Sequence, residues 1–383
     1  MRANIKSDFD TQKERTVMAK HKTARLADGD MDFRYLGRRM DGVMPWEDGL
    51  HTHGRFGEYE WWYFDGKMSD GSSLVIIFYS QPVTASALGF APSMSLSFTR
   101  PDGTHFQDSR GFSMEECSFA RYSCQVKMGR SFCEGDLTDY RIHYETPRAK
   151  ADVTLRGNIP SWRPATGHIL FGKKDYFAWL PSVPEGTMEA TVTINGETVT
   201  LSGTGYHDHN WGNKGMFWLM HHWYWGRAKI GPYQAITSYI TAGEKYGYEH
   251  FPIFLLAKDG EILGQDGKFV TYLQMDPEFD PVTKKHFHKT LVYDYDDRTC
   301  RYRVTYRQEE IIEYFTVSDS KNSIQAKSSA ALRGLVRLAK LDPSYIRVTG
   351  TAMLERFENG VVVESYEAPA IWELMYFGED ADV

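Results

Sequence analysis

Between Gly203 and Gly231 the sequence reads GTGYHDHNWGNKGMFWLMHHWYWGRAKIG, with four histidines, four tryptophans, one aspartate and one arginine in 29 residues. Those residue types suit three roles: metal ligation by His and Asp, proton transfer by a carboxyl group among aromatic rings, or an aromatic core. On an extended strand side chains alternate between faces, so Tyr206, Asp208 and Asn210 would share one face and His207 and His209 the other. Trp223, Trp225 and Arg227 would likewise oppose His222 and Tyr224. A cavity lined by Tyr206, Asp208, Asn210, Trp223, Trp225 and Arg227 is apolar with a few polar groups, the make-up of a small-molecule pocket. Aromatic walls desolvate a carboxyl group, raise its pKa and let it hold a proton near neutrality. Asp208 is thus the candidate acid for an alkene, an epoxide or a carbonyl, and Asn210 could orient a substrate oxygen.

Glu60, in EYEWWYF, is a second candidate carboxyl, because it shares a strand face with Phe64 and with Trp62, itself a candidate to touch substrate or else barrel core. Its structural alternative is to cap backbone groups or to pair with Arg227. Metal ligation is not expected. His207, Asp208, His209, His221 and His222 are ligand types, but their spacing is neither HExxH nor HxHxDH and no carboxylate cluster accompanies them. Adjacent His221 and His222 must also point apart on a strand.

The whole chain sets the context for these residues. Its 383 residues, 42% hydrophobic and 25% charged, can bury a sizeable core and exceed one typical domain. The net charge of −7, without a basic stripe, gives nucleic acid no counterion-release footing. Cys117, Cys124, Cys133 and Cys300 form no CxxC pair and read as reduced, mostly buried thiols. The amino terminus lacks an apolar signal core, and no window approaches the roughly 18 apolar residues of a spanning helix. A cytoplasmic protein is expected.

The elements that must position the candidate residues are strands. Runs such as EYEWWYFDGKM, SSLVIIFYS, MEATVTINGETVTLSG and VVVESYEAPAIWELMYF are rich in β-branched and aromatic residues. Turn signals separate them, with Asn195-Gly196 the clearest hairpin. The expected fold is all-β, in antiparallel barrels or sandwiches. A polar tail would span 1–40, an N-terminal domain 41–215 and a C-terminal domain 216–383, with the junction at the Gly-rich NWGNKG. SIQAKSSAALRGLVRLAKL, 323–341, has helical spacing and is expected to pack on the C-terminal barrel, with at most peripheral contact to a membrane surface.

Four segments carry a family resemblance: EWWYFDG at 60–66, YFAWLPSVPEG at 176–186, GTGYHDHNWG at 203–212 and WYWGRA at 223–228. They resemble, in family order, the signature elements of the CrtC/AttH lipocalin-like family of carotenoid 1,2-hydratases, kievitone hydratase and fungal decalin-forming Diels–Alderases. The resemblance implies two lipocalin-like barrels, a pocket near their interface and no organic cofactor. Tyr206 and Asp208 match the Y-x-D of the hydratases, and Trp179 matches a tryptophan whose face stabilises a developing carbocation. Phe177 stands where the hydratases have a histidine. Losing that polar group favours a pocket that excludes water and folds a lipophilic isoprenoid- or polyketide-derived substrate on itself. A cyclase or isomerase is therefore expected, with a hydratase and a non-catalytic lipophile carrier as the alternatives.

Overall fold

A computed structural model describes residues 23–316 and 343–380. The helix expected at 323–341 and residues 1–22 lie outside the described residues. The chain is nearly all β, in two antiparallel sheets of 13 and nine strands. In the first, the strand Tyr59–Met68 pairs with Glu197–Gly212, so an early strand meets the last one in the middle of the sheet. The second repeats this plan, because Met220–Ile230 pairs with Val361–Tyr376. Both sheets curl, and the open seam of each falls between two strands consecutive in sequence.

Turn chemistry sets these registers. Asn195-Gly196, Asp259-Gly260 and Asn359-Gly360 each carry positive φ at both residues, as the tight hairpins that match strand twist require.

Among the described residues, three large apolar cores and a small cluster of Ala178, Leu180 and Trp211 result. Trp62, Phe64, Leu96 and Val192 belong to the core inside the first sheet, and Tyr224, Tyr306, Trp372 and Leu374 to that inside the second. A third lies between the sheets, where Trp179, Tyr206, Met220 and Ile240 are buried and Trp61, Tyr63, Trp223 and Trp225 remain half-buried. Each fully buried large apolar side chain contributes about 1.5–3 kcal/mol.

The expectation of a polar tail over 1–40 is corrected for its described part. Ala24–Leu26 is a strand paired with His168–Phe171, and Asp30–Tyr35 is a short helix that buries Phe33. Buried charges tie down the segment after this helix. Glu47 receives Arg38 at 2.6 Å and Arg163 at 2.6 Å, while Arg163 also donates to the carbonyls of Arg39 and Gly42. The segment is thus anchored at Arg38 and Glu47, which are buried because they are paired, while Arg39 and Asp41 stay exposed.

Candidate active site

Strand parity builds the site. The strand Glu197–Gly212 is sandwiched between Tyr59–Met68 and Asp175–Ile194, with Asp208 beside Tyr63 and Asn210 between Trp61 and Trp179. Its even-numbered residues from 206 to 210 face the second sheet, and His207 and His209 face the interior of the first. The neighbouring strand loses register between Leu180 and Gly186, where Pro181 and Pro184 cannot donate to the ladder. Ahead of that bulge, Phe177 and Trp179 face the same side as Asp208.

A cavity of about 280 Å³ opens there between the two sheets. The first sheet contributes Trp61, Tyr63, Phe177, Trp179, Asp208 and Asn210, and the second contributes Trp223, Trp225, Ser238, Ile240 and Glu373. The size is at the lower edge of small-ligand cavities, and the walls are predominantly aromatic.

Three donors hold the Asp208 carboxyl. Trp179 Nε1 and Tyr206 Oη donate to Oδ2, each at 2.8 Å, and Asn210 Nδ2 donates to Oδ1 at 2.8 Å. Burial pushes its pKa up to about 6, against the pull of those donors and of the His207 charge. The group therefore changes protonation in the mildly acidic to neutral range, where an acid–base catalyst is most effective. Burial also pushes the Tyr206 hydroxyl well above its usual range, so it stays a donor.

The structure brings Asp208, Asn210, Trp179, Phe177, Trp223 and Trp225 to one cavity, with Tyr206 behind Asp208. It does not bring three other expected residues there. Glu60 lies on the opposite face of its strand and caps backbone instead. It accepts from the amides of His51 at 2.7 Å and Thr52 at 2.9 Å, and from His209 Nε2 at 2.9 Å. Trp62 shares that inward face, stacks on His209 at 4.6 Å and donates to the Asp48 carbonyl. Arg227 pairs with Asp65 across the sheets and lies 5.0 Å over the Tyr206 ring, supporting the acid from behind rather than lining the cavity. Trp61, Tyr63 and Glu373 also line the cavity. Glu373 had a signal, as the single charge in APAIWELMYF.

Ligand-type side chains do gather elsewhere. Donor atoms of Asp48, Cys124 and His207 lie within 4.8 Å of one another inside the first sheet. They are already engaged: His207 donates through Nδ1 to the Tyr63 carbonyl at 2.9 Å and through Nε2 to Asp48 at 3.1 Å, and burial holds Cys124 as a thiol. The group is an ion-pair network that pins the back of the Asp208 strand.

Residues 55–321 match the model of a family described as Diels-Alderase-like. The chain belongs to that family. Among its Diels-Alderase-like relatives, the quinolone epoxide rearrangement protein penF of Penicillium thymicola is 25% identical over 228 residues, 54% of this chain and 61% of that protein. The Diels-Alderase cheD of Chaetomium globosum is 26% identical over 223 residues, 53% of this chain and 51% of the other. The chain thus matches between half and three fifths of the length of these curated relatives. A crystal structure of CghA with Sch210972 superposes with a TM-score of 0.58 at 13% identity, covering 94% of this chain and 100% of that one. Kievitone hydratase from Nectria haematococca gives 0.53 at 11% identity, with 94% and 99% covered. These likenesses show the fold, and the motif resemblance to the CrtC/AttH family holds.

Proposed function

We propose that the protein is a cofactor-independent cyclase or isomerase acting by acid–base catalysis on a lipophilic isoprenoid- or polyketide-derived small molecule. The observation that carries this reading is the Asp208 carboxyl, held by three donors at the floor of an aromatic cavity and titrating at about 6. A protonated Asp208 delivers its proton to an epoxide or carbonyl oxygen. The electron-rich faces of Trp179, Trp223 and Trp225 stabilise the positive charge that follows. Tyr206 and Asn210 fix the carboxyl in one rotamer, so little reorganisation accompanies the transfer. Phe177 in the wall puts an apolar ring at the position where, by the motif resemblance, the hydratases have a histidine. The names of the relatives support rearrangement of an oxygenated substrate or cycloaddition.

No helix among the described residues is long and apolar enough to cross a membrane. The free cysteines support a reducing compartment, and we place the protein in the cytoplasm, with a small lipophilic substrate as its partner and no nucleic acid.

Isotope labelling separates the readings. Incubated with a quinolone epoxide or a linear triene–dienophile in heavy-oxygen water, the protein is expected to give a product isomeric with the substrate and free of solvent oxygen. Gain of one labelled oxygen in the product would establish a hydratase. Saturable binding of both probes without turnover would instead indicate a carrier.

A further inference from the structure

We infer that Glu373 is a second catalytic carboxyl group, opposed to Asp208 across the junction of the two sheets, so that one gives the substrate a proton while the other takes one away. This inference rests on the acid–base reading above. Parity places Glu373: along Val361–Tyr376 the residues Ala370, Trp372, Leu374 and Tyr376 fill the core of the second sheet. Glu373 points the other way, toward the first sheet, and lines the cavity with Asp208. It lies beside Trp225, whose ring is 5.7 Å from that of Tyr206, the donor to Asp208.

The surroundings of Glu373 suit a proton carrier better than a structural ion pair. Tyr345 Oη donates to its Oε2 at 2.8 Å. Arg347, directly across on the next strand, forms its ion pair with Glu313 at 3.7 Å. The charged and titratable groups around the pair include Tyr345, Arg347, Glu313 and Arg227 from the second sheet and Tyr63, Asp65, Tyr206 and His207 from the first. Burial raises the Glu373 pKa against the pull of Tyr345, Arg347 and Trp223, and the Asp208 charge adds a smaller upward push. Two carboxyl groups that face one cavity disfavour the state in which both are ionised.

The chemistry balances without any further reactant. The O–H bond of Asp208 breaks and its proton goes to the substrate as the epoxide C–O bond, or the π bond of a carbonyl or alkene, breaks and leaves an electrophilic carbon. Glu373 takes a proton from a C–H or O–H elsewhere on the substrate, and the electron pair left behind forms the new C=C, C–C or C–O bond. The product is isomeric with the substrate, and between turnovers Glu373 releases its proton to water while water returns one to Asp208. The substrate class is therefore a compact lipophilic molecule with an electrophilic oxygen at one end and an acidic hydrogen within reach of the opposite wall.

Tryptophan fluorescence reads this pair without a substrate, because four tryptophans line the cavity. Titrated with pH, the full-length protein is expected to show two coupled steps. Glu373→Gln should remove one step and move the Asp208 midpoint to lower pH, since a neighbouring negative charge no longer resists ionisation. Tyr345→Phe, which removes a donor but keeps the carboxyl, should move the Glu373 step upward. Turnover of the epoxide probe should fall at least about 100-fold in Glu373→Gln, and combining it with Asp208→Asn should cost far less than the product of the two losses. Unchanged midpoints in both variants, or full turnover in Glu373→Gln while Asp208→Asn is inactive, would overturn the pairing and leave the acid reading intact. Coupled midpoints in a protein that turns over neither probe would keep the pairing and sink the assigned reaction.

Discussion

Asp208→Asn is expected to lower turnover of the epoxide probe by at least about 100-fold, and by up to about 10,000-fold, while the affinity for an apolar ligand stays close to the parent. The amide keeps the shape of the carboxyl but has no proton to deliver. In a carrier the same substitution would change little, because affinity there follows apolar area removed from water. The structure adds a signature in stability. Trp179, Tyr206 and Asn210 all donate to Asp208, and an amide offers them one acceptor oxygen rather than two. The folded carboxyl titrates at about 6 against an ordinary value of 3.8. A raised carboxyl pKa stabilises the fold fully below the unfolded value, and that stabilisation is lost as pH rises through about 6. The loss approaches about 3 kcal/mol at neutral pH and above. The variant lacks this loss, so its melting temperature should fall less than the parent's as pH rises through that range. Full turnover in a folded variant would remove Asp208 from the mechanism.

His207→Gln is the second large effect, and it falls on the fold rather than on the chemistry. His207 faces away from Asp208, stacks on Phe64 at 4.0 Å and bridges the Tyr63 carbonyl to the Asp48 carboxylate. Burial opposes its charge, but Asp48 outweighs burial and lifts the imidazole pKa to about 10. Removing the cation strands a carboxylate that is 1% exposed and retains Tyr140 at 2.5 Å as its remaining strong donor. Breaking one partner of such a buried pair costs about 3–5 kcal/mol. The direction with pH is set by the raised value: this stabilisation is complete below about 6.5, the imidazole's ordinary value, and is lost as pH rises through about 10. Denaturant unfolding near neutrality should show the loss, and pairing the substitution with Asp48→Asn should recover part of it. A loss under about 1 kcal/mol would mean that the pair is not charged.

Much of this was legible from period-two alternation and turn chemistry. The shared face of Tyr206, Asp208 and Asn210, the inward turn of His207 and His209, and the hairpin at Asn195-Gly196 are all encoded in residue order. The strand Tyr59–Met68 was not, because it is covered on both sides. Trp62 and Phe64 face the first core, and Trp61 and Tyr63 face the cavity. Alternation between two apolar faces does not tell which one looks at the ligand. That ambiguity drew Glu60 and Trp62 into the expected site. Glu373 stood apart for a different reason: its partnership with Asp208 depends on how two separately closed sheets meet, which no local pattern encodes. The same holds for Asp48, whose short turn Pro45–Asp48 is brought against His207 by tertiary packing alone. The similar strand plan of the two sheets left no repeat in the sequence, since each core is filled by different side chains.

The pH dependence of the chemical step tests most directly whether a protonated Asp208 drives the reaction. Single-turnover rates for the epoxide probe, measured with enzyme in excess across the mildly acidic to mildly basic range, are expected to decline as pH rises through about 6. In Asp208→Asn the residual rate should show no such decline. A parent rate that stays level or climbs through that range would contradict an acid role for Asp208.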